Sequence, residues 1–330
     1  MLTPRENFME LRTGGHPDRL VNQYEPFSIV MGDPIATYIR GKRYPGMAPM
    51  KDRFGVTIIW PEGQAAAVPD HSAGKTVLDD VTCWRDTVTI PDVSVCADAP
   101  EWEEYLERAA QVNRRETFLT GAMFTGVFEQ IHALMGFENA LADMLMEPED
   151  MQELAEALGA YRLQYLQLYV DKVHPDAMLF HDDWGSNNSL FMSPAVWQSM
   201  FQPQHQKLFD FCHEQGILVI HHADSFLEPI VPKMAEMGID VWQGVLPENN
   251  IAALQQKLQG KMVLMGGIGA LVDSPDTDEK KIREETRRVC DTFGPGGGFI
   301  PCLTYGTPGS LYPGVYETIS DEIDRYNRER

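Results

Sequence analysis

No stretch of this chain stays apolar for the ~20 residues a membrane helix requires. Its first residues, Met1-Leu-Thr-Pro-Arg-Glu-Asn-Phe8, lack the apolar core of a signal peptide. Positive charge is in short supply, with 27 Lys and Arg against 49 Asp and Glu, a formal net charge of −22. Such an acidic surface argues against nucleic acid and against anionic membrane as partners. Cysteine is sparse: Cys83, Cys96, Cys212, Cys290 and Cys302 are odd in number and scattered. That usage suits a reducing cytoplasm, the expected location, better than a disulfide framework. No internal repeat or low-complexity segment is visible.

At 43 % hydrophobic and 23 % charged, the composition is that of an ordinary folded protein, and 330 residues suit one barrel with extensions. Thr3 and Pro4 predict a short helix over 4–12. Arg19–Asn22 is the expected first barrel strand, and Lys51–Trp60 reads as a strand and turn. From Glu101 onward, strands and helices alternate. Helices are predicted over 148–173, 226–237, 251–258 and 278–293. Strands are predicted at 116–121, 177–184, 217–224, 239–245, 261–268 and 298–303. Polar residues close many successive strands, which favours a (β/α)8 TIM barrel over an open doubly wound sheet. The expectation is one domain over 1–330, with 1–110 an N-terminal extension partly covering the barrel mouth.

The central stretch is Ile217-Leu-Val-Ile-His-His-Ala-Asp224, a buried-strand pattern ending in metal-type ligands. His222 and Asp224, two apart, point to one face. With Cys302 at the end of a later strand they offer imidazole, carboxylate and thiolate, a set suited to Zn²⁺ with an open fourth position. A hydrogen-bonded His–Asp pair beside an unrelated buried cysteine explains the same residues. In His181-Asp-Asp-Trp184, alternation puts His181 and Asp183 on one face and Asp182 on the other. The letters leave open which face is the lumen. Asp183, with His181, is the candidate to orient substrate or move a proton, and a loop or capping acid is the plainer reading. Met123, Phe124, Trp184, Trp242 and Tyr305, near strand ends, are candidates to line a ring-binding pocket, though each alone is as readily core.

Asp52-Arg-Phe-Gly55, Gly136-Phe-Glu-Asn139, Asp182-Asp-Trp-Gly185, Ser193-Pro194, His222-Ala-Asp224, Met237-Gly-Ile-Asp240 and Gly297-Gly-Phe-Ile300 give the chain a likeness. It resembles the uroporphyrinogen decarboxylase superfamily, especially its corrinoid-dependent methyltransferase branch, from about Lys51 onward. The resemblance implies a (β/α)8 barrel. It also implies zinc on a His-x-Cys pair plus a distant Cys, with His222, Asp224 and Cys302 in those places. Asp224 for Cys is a departure, and an oxygen ligand leaves zinc a harder Lewis acid. The decarboxylase's arginine-rich motif has no match. Arg40, Lys42 and Arg43 are the nearest basic cluster. No Asp-x-His-x-x-Gly corrinoid motif occurs, so a corrinoid would be carried by a separate protein.

These readings converge on a zinc-dependent O-demethylase component. It would transfer methyl from a methoxylated, aromatic small molecule to the Co(I) corrinoid of a partner protein. Methyl transfer from a corrinoid to a thiol, a metal-free decarboxylase-like lyase and a non-catalytic binding barrel are the alternatives. Relatives often form homodimers, which is the expectation for assembly.

Overall fold

The computed structural model describes residues 1–64, 66–72, 74–305 and 312–329. Thr3 and Glu6 form a reciprocal capping box that starts α1 (Pro4–Thr13). Then come β1 (Phe27–Ile29), α2 (Pro34–Arg40), β2 (Met50–Lys51), β3 (Thr57–Ile59), β4 (Val68–Pro69), α3 (Trp84–Thr87) and α4 (Glu101–Ala110). The regular part opens with β5 (Phe118–Met123), α5 (Val127–Met135), α6 (Phe137–Met146), α7 (Pro148–Val173) and β6 (Ala177–His181). It continues through α8 (Pro194–Met200), α9 (Gln202–Glu214), β7 (Leu218–His222), α10 (Val231–Glu236) and β8 (Val241–Val245). It closes with α11 (Ile251–Leu258), β9 (Val263–Ile268), α12 (Glu279–Phe293), β10 (Phe299–Leu303) and α13 (Val315–Glu329).

Among the described residues, one seven-stranded sheet runs β1-β5-β6-β7-β8-β9-β10, and every pairing in it is parallel. The fold is α/β of the TIM-barrel type, a curled parallel sheet surrounded by helices. Arg19–Asn22 is not a strand, contrary to expectation; β1 lies later, at Phe27–Ile29. The residues just before β1 bridge to the last strand and helix through side chains. Gln23 Oε1 accepts from Leu303 N at 3.5 Å, and Asn22 Nδ2 donates to the Ser320 carbonyl at 2.9 Å. The 51–60 stretch is outside the barrel sheet, its ends joining β4 in a small antiparallel sheet.

Strand alternation sorts the apolar residues into two cores. Leu179, Ile220, Val241, Met265, Ile300 and Cys302 point inward. Phe180, Val219, Trp242, Leu264 and Phe299 pack against the helices. Phe8 of α1 belongs to the inner core, edge-on to Phe27 and Phe118 at 5.0 and 5.5 Å. Arg5 and Arg12 of the same helix hold Asp176 and Asp240, the residues just before β6 and β8. So α1 lies at the amino end of the barrel. Arg40, closing α2, places its guanidinium carbon 5.6 Å over the Phe124 ring. No helix among the described residues is long and apolar enough to cross a membrane.

Candidate active site

The inward phase of β6 and β7 carries past the strand ends to His181, Asp183, His222 and Asp224. His181 and His222 are register partners whose rings stack at 4.5 Å. One ligand atom each from His181, Asp183 and His222 lies within 4.8 Å of the others, a group able to hold a metal ion. Asp224 and Cys302, which the resemblance assigns to the metal, are not in that group. Asp224 stands beside it, its amide donating to Asp183 Oδ1 at 3.1 Å. Cys302 faces inward and is fully buried, but the Gln243 amide lies against it.

Each histidine has its Nδ1 already engaged. His222 Nδ1 donates to Gln243 Oε1, and His181 Nδ1 lies 2.9 Å from Glu129 Oε1. In both rings this leaves Nε2 for the cluster, as outer partners do for metal-bound histidines. Burial, with the neighbouring His181, drops the His222 pKa to about 3, so its ring is neutral and has a lone pair to give. Burial also opposes charge on His181, but Glu129, Asp183 and Asp224 outweigh it and raise its pKa to about 9. Burial pushes the Asp183 carboxyl well above its usual range, and Asp224 and Glu129 add to the effect against the pull of His181. Asp224 rises to about 6 by burial, and it hydrogen-bonds the Asp183 side chain. The mouth thus combines a neutral imidazole, a second imidazole that favours its charged form, and two carboxyls whose pKa values are raised.

Asp182 faces the other way. Its oxygens accept from Phe128 N at 3.1 Å, Glu129 N at 3.0 Å, Trp184 Nε1 at 3.0 Å and His205 Nε2 at 2.9 Å. Burial alone would raise its pKa. The bond and charge of His205, with the two amides, hold it at about 2. Asp182 therefore ties β6 to the first turn of α5, the turn that returns Glu129 to His181. Gly126 fits there because a Cβ would overlap the Asp182 side chain.

Phe124 points inward, 5.8 Å from the His181 ring. Met123, Trp184 and Trp242 do not line the mouth. They are buried in the outer core, one residue out of phase with the lumen. Trp184 stacks on His221 at 4.2 Å, and Trp242 Nε1 donates to the Ala223 carbonyl. Tyr305 is half-buried against the same outer core. Glu129 and Gln243 are site residues the sequence reading missed. Their signals were a Gly-x-x-Glu helix start and a lone amide in the apolar run Val241-Trp-Gln-Gly-Val245.

The family model described as "Uroporphyrinogen decarboxylase (URO-D)" matches residues 50–326. No protein of curated function matches the chain. Among solved structures, a methyltransferase from Methanosarcina mazei superposes with a TM-score of 0.67 at 12 % identity, over 99 % of both chains. A B12-independent methionine synthase from Shewanella sp. W3-18-1 matches at a TM-score of 0.37 and 15 % identity, over 80 % of this chain and 72 % of that one, too loosely to carry an argument.

Proposed function

The chain belongs to the uroporphyrinogen decarboxylase family, and from that premise we propose that it is a methyltransferase. It takes the methyl group of a methoxylated aromatic molecule and passes it to the Co(I) corrinoid of a separate protein docked at the barrel mouth. The observation that carries this reading is the His181–Asp183–His222 group, His222 buried and the other two half-buried, at the carboxyl end of the strands. Its nitrogen and oxygen donors suit a divalent ion such as zinc. His222 and, with its Nε2 proton displaced by the ion, His181 would hold that ion through Nε2, and Asp183 through a carboxylate oxygen. A zinc ion there supplies Lewis acidity toward the ether oxygen.

The chain's own groups do the rest. Glu129 and Gln243 fix the two rings. Phe124 offers its face to the aromatic ring of the substrate. The methyl carbon–oxygen bond breaks with its electron pair left on oxygen, and the methyl carbon bonds to the partner's cobalt. Asp224, half-protonated near pH 6, holds at its carboxyl the proton that the departing aryl oxygen takes up. The test is purified chain with zinc, free cob(I)alamin as acceptor and a panel of methoxyphenols. Methylcobalamin absorbance rising together with the demethylated phenol is expected. No transfer across the panel would refute the reading.

The Asp183–Asp224 carboxyl pair beside cationic His181 also suits protonation of a carbanion, which favours a metal-free lyase as the second reading. It predicts carbon dioxide release that survives chelation.

A further inference from the structure

Gln243 is the last residue of β8 in regular register before the strand's pattern breaks. Along β8, Val241 faces inward, Trp242 outward and Gln243 inward. The register with β9 then slips between Gln243 and Val245, and Val245 joins the outer core. The slip is a β-bulge centred on Gly244, whose φ is +98°. A Cβ at this position would fall 2.8 Å from the Ala223 carbonyl oxygen and 2.9 Å from that of Thr304. Gln243 is thus the last inward side chain of β8, standing between the ends of β7 and β10. Its carboxamide serves both sides. Oε1 accepts from His222 Nδ1, while Nε2 donates to the Leu303 carbonyl at 3.2 Å and the amide hydrogen-bonds the Cys302 side chain.

We propose that Gln243 is a positioning residue that sets the donor atoms of this site. It commits His222 Nδ1, turns Nε2 toward His181 and Asp183, and keeps the Cys302 sulfur out of the cluster. A divalent ion is then held by nitrogen and oxygen alone. This rests on reading the cluster as a metal site, and it sharpens the substrate class. An ion without thiolate donation keeps more positive charge, which favours an ether oxygen over a thiol sulfur.

The probe is cobalt(II) titrated into the full chain and read by ultraviolet–visible absorption, with methyl transfer assayed separately. Ligand-field bands are expected without a thiolate-to-cobalt charge-transfer band, and Cys302→Ser should give the same spectrum and affinity. Gln243→Leu should weaken cobalt binding roughly 10- to 100-fold, the usual cost of losing an outer partner of a ligating histidine. Gln243→Glu, which keeps an acceptor for His222 Nδ1, should restore most of it. A charge-transfer band in the wild type that Cys302→Ser abolishes would overturn the proposal, and so would a wild type that binds no cobalt. If Gln243→Leu does not fold, the wild-type and Cys302→Ser spectra decide alone. Intact spectra with no methyl transfer would count against the proposed reaction and leave the donor set standing.

Discussion

The two ends of the barrel use the same residue type in opposite ways. At the amino end, Asp176 and Asp240 each stand just before a strand and reach the strand next to it, accepting from Leu119 N at 2.9 Å and Val219 N at 2.8 Å. Arginines neutralise both, with Arg5 and Arg114 on Asp176 and Arg12 on Asp240. Burial works against these carboxylates. The Arg114 bond on Asp176 and the His213 bond on Asp240, with the backbone amides, still hold both below the ordinary range. At the carboxyl end, Asp183 and Asp224 have no Lys or Arg ion pair among the described residues, and both are raised. One end spends its charges on holding strands in register. The other keeps buried charge unbalanced, the condition for binding a cation or moving a proton.

The comparison breaks if perturbing the amino end disturbs the site, so the largest expected effect lies there. Phe8→Ala empties the plug of the inner core and should cost about 3–5 kcal/mol in urea unfolding, with cobalt affinity of the folded protein unchanged. Asp240→Asn strands a half-exposed Arg12 and a buried amide, and should cost about 2 kcal/mol. The pH dependence sharpens the contrast. The Asp240 pKa is depressed below 3.8, so its stabilisation is complete above that value and lost as pH falls through the folded pKa. Asp224 is raised to about 6, so its contribution is present below 3.8 and lost as pH rises through 6. Urea unfolding across acid to neutral pH should therefore show Asp240→Asn flattening the limb below about pH 4, and Asp224→Asn flattening the stretch from about 4 to 6. His222→Ala should change stability by no more than ~1 kcal/mol yet abolish zinc uptake, from about one ion per chain to none, by elemental analysis. Thr3→Ala, which removes the cap of α1, should cost only about 0.5–1 kcal/mol and leave metal content unchanged.

Much of the framework was legible because period and caps agreed. Pro148–Val173 and Ile251–Leu258 are helices over the predicted residues, the first opened by Pro148 and the second capped by Asn250. The predicted helix over 226–237 shrinks to Val231–Glu236, since the residues before it make turns around Leu227 and Ile230. β1 was missed because its strand is only three residues long and its partner is remote in sequence. In the site, alternation correctly puts His181 and Asp183 together. Met123, Trp184 and Trp242 were named only for their nearness to strand ends, without alternation, and they turn to the outer core. Glu129 and Gln243 were invisible for another reason. One is returned by a helix start that Asp182 clamps from a different strand, and the other follows the inward phase of Val241, which a nearly all-apolar run does not single out.

Arg5 and Arg12 are seven residues apart on one helix, about 10 Å along its axis. Their targets precede β6 and β8, two strand spacings apart, also about 10 Å. The helix is therefore matched to the sheet as a crossbar is to a frame. The described part of this sheet lacks a hydrogen-bonded seam between its first and last strands, so a rigid brace at this rim helps hold the strand starts at their spacing. Pulled from residue 1, the chain should first yield at Arg5 and then at Arg12, in two mechanical steps, before the strand tops lose their spacing.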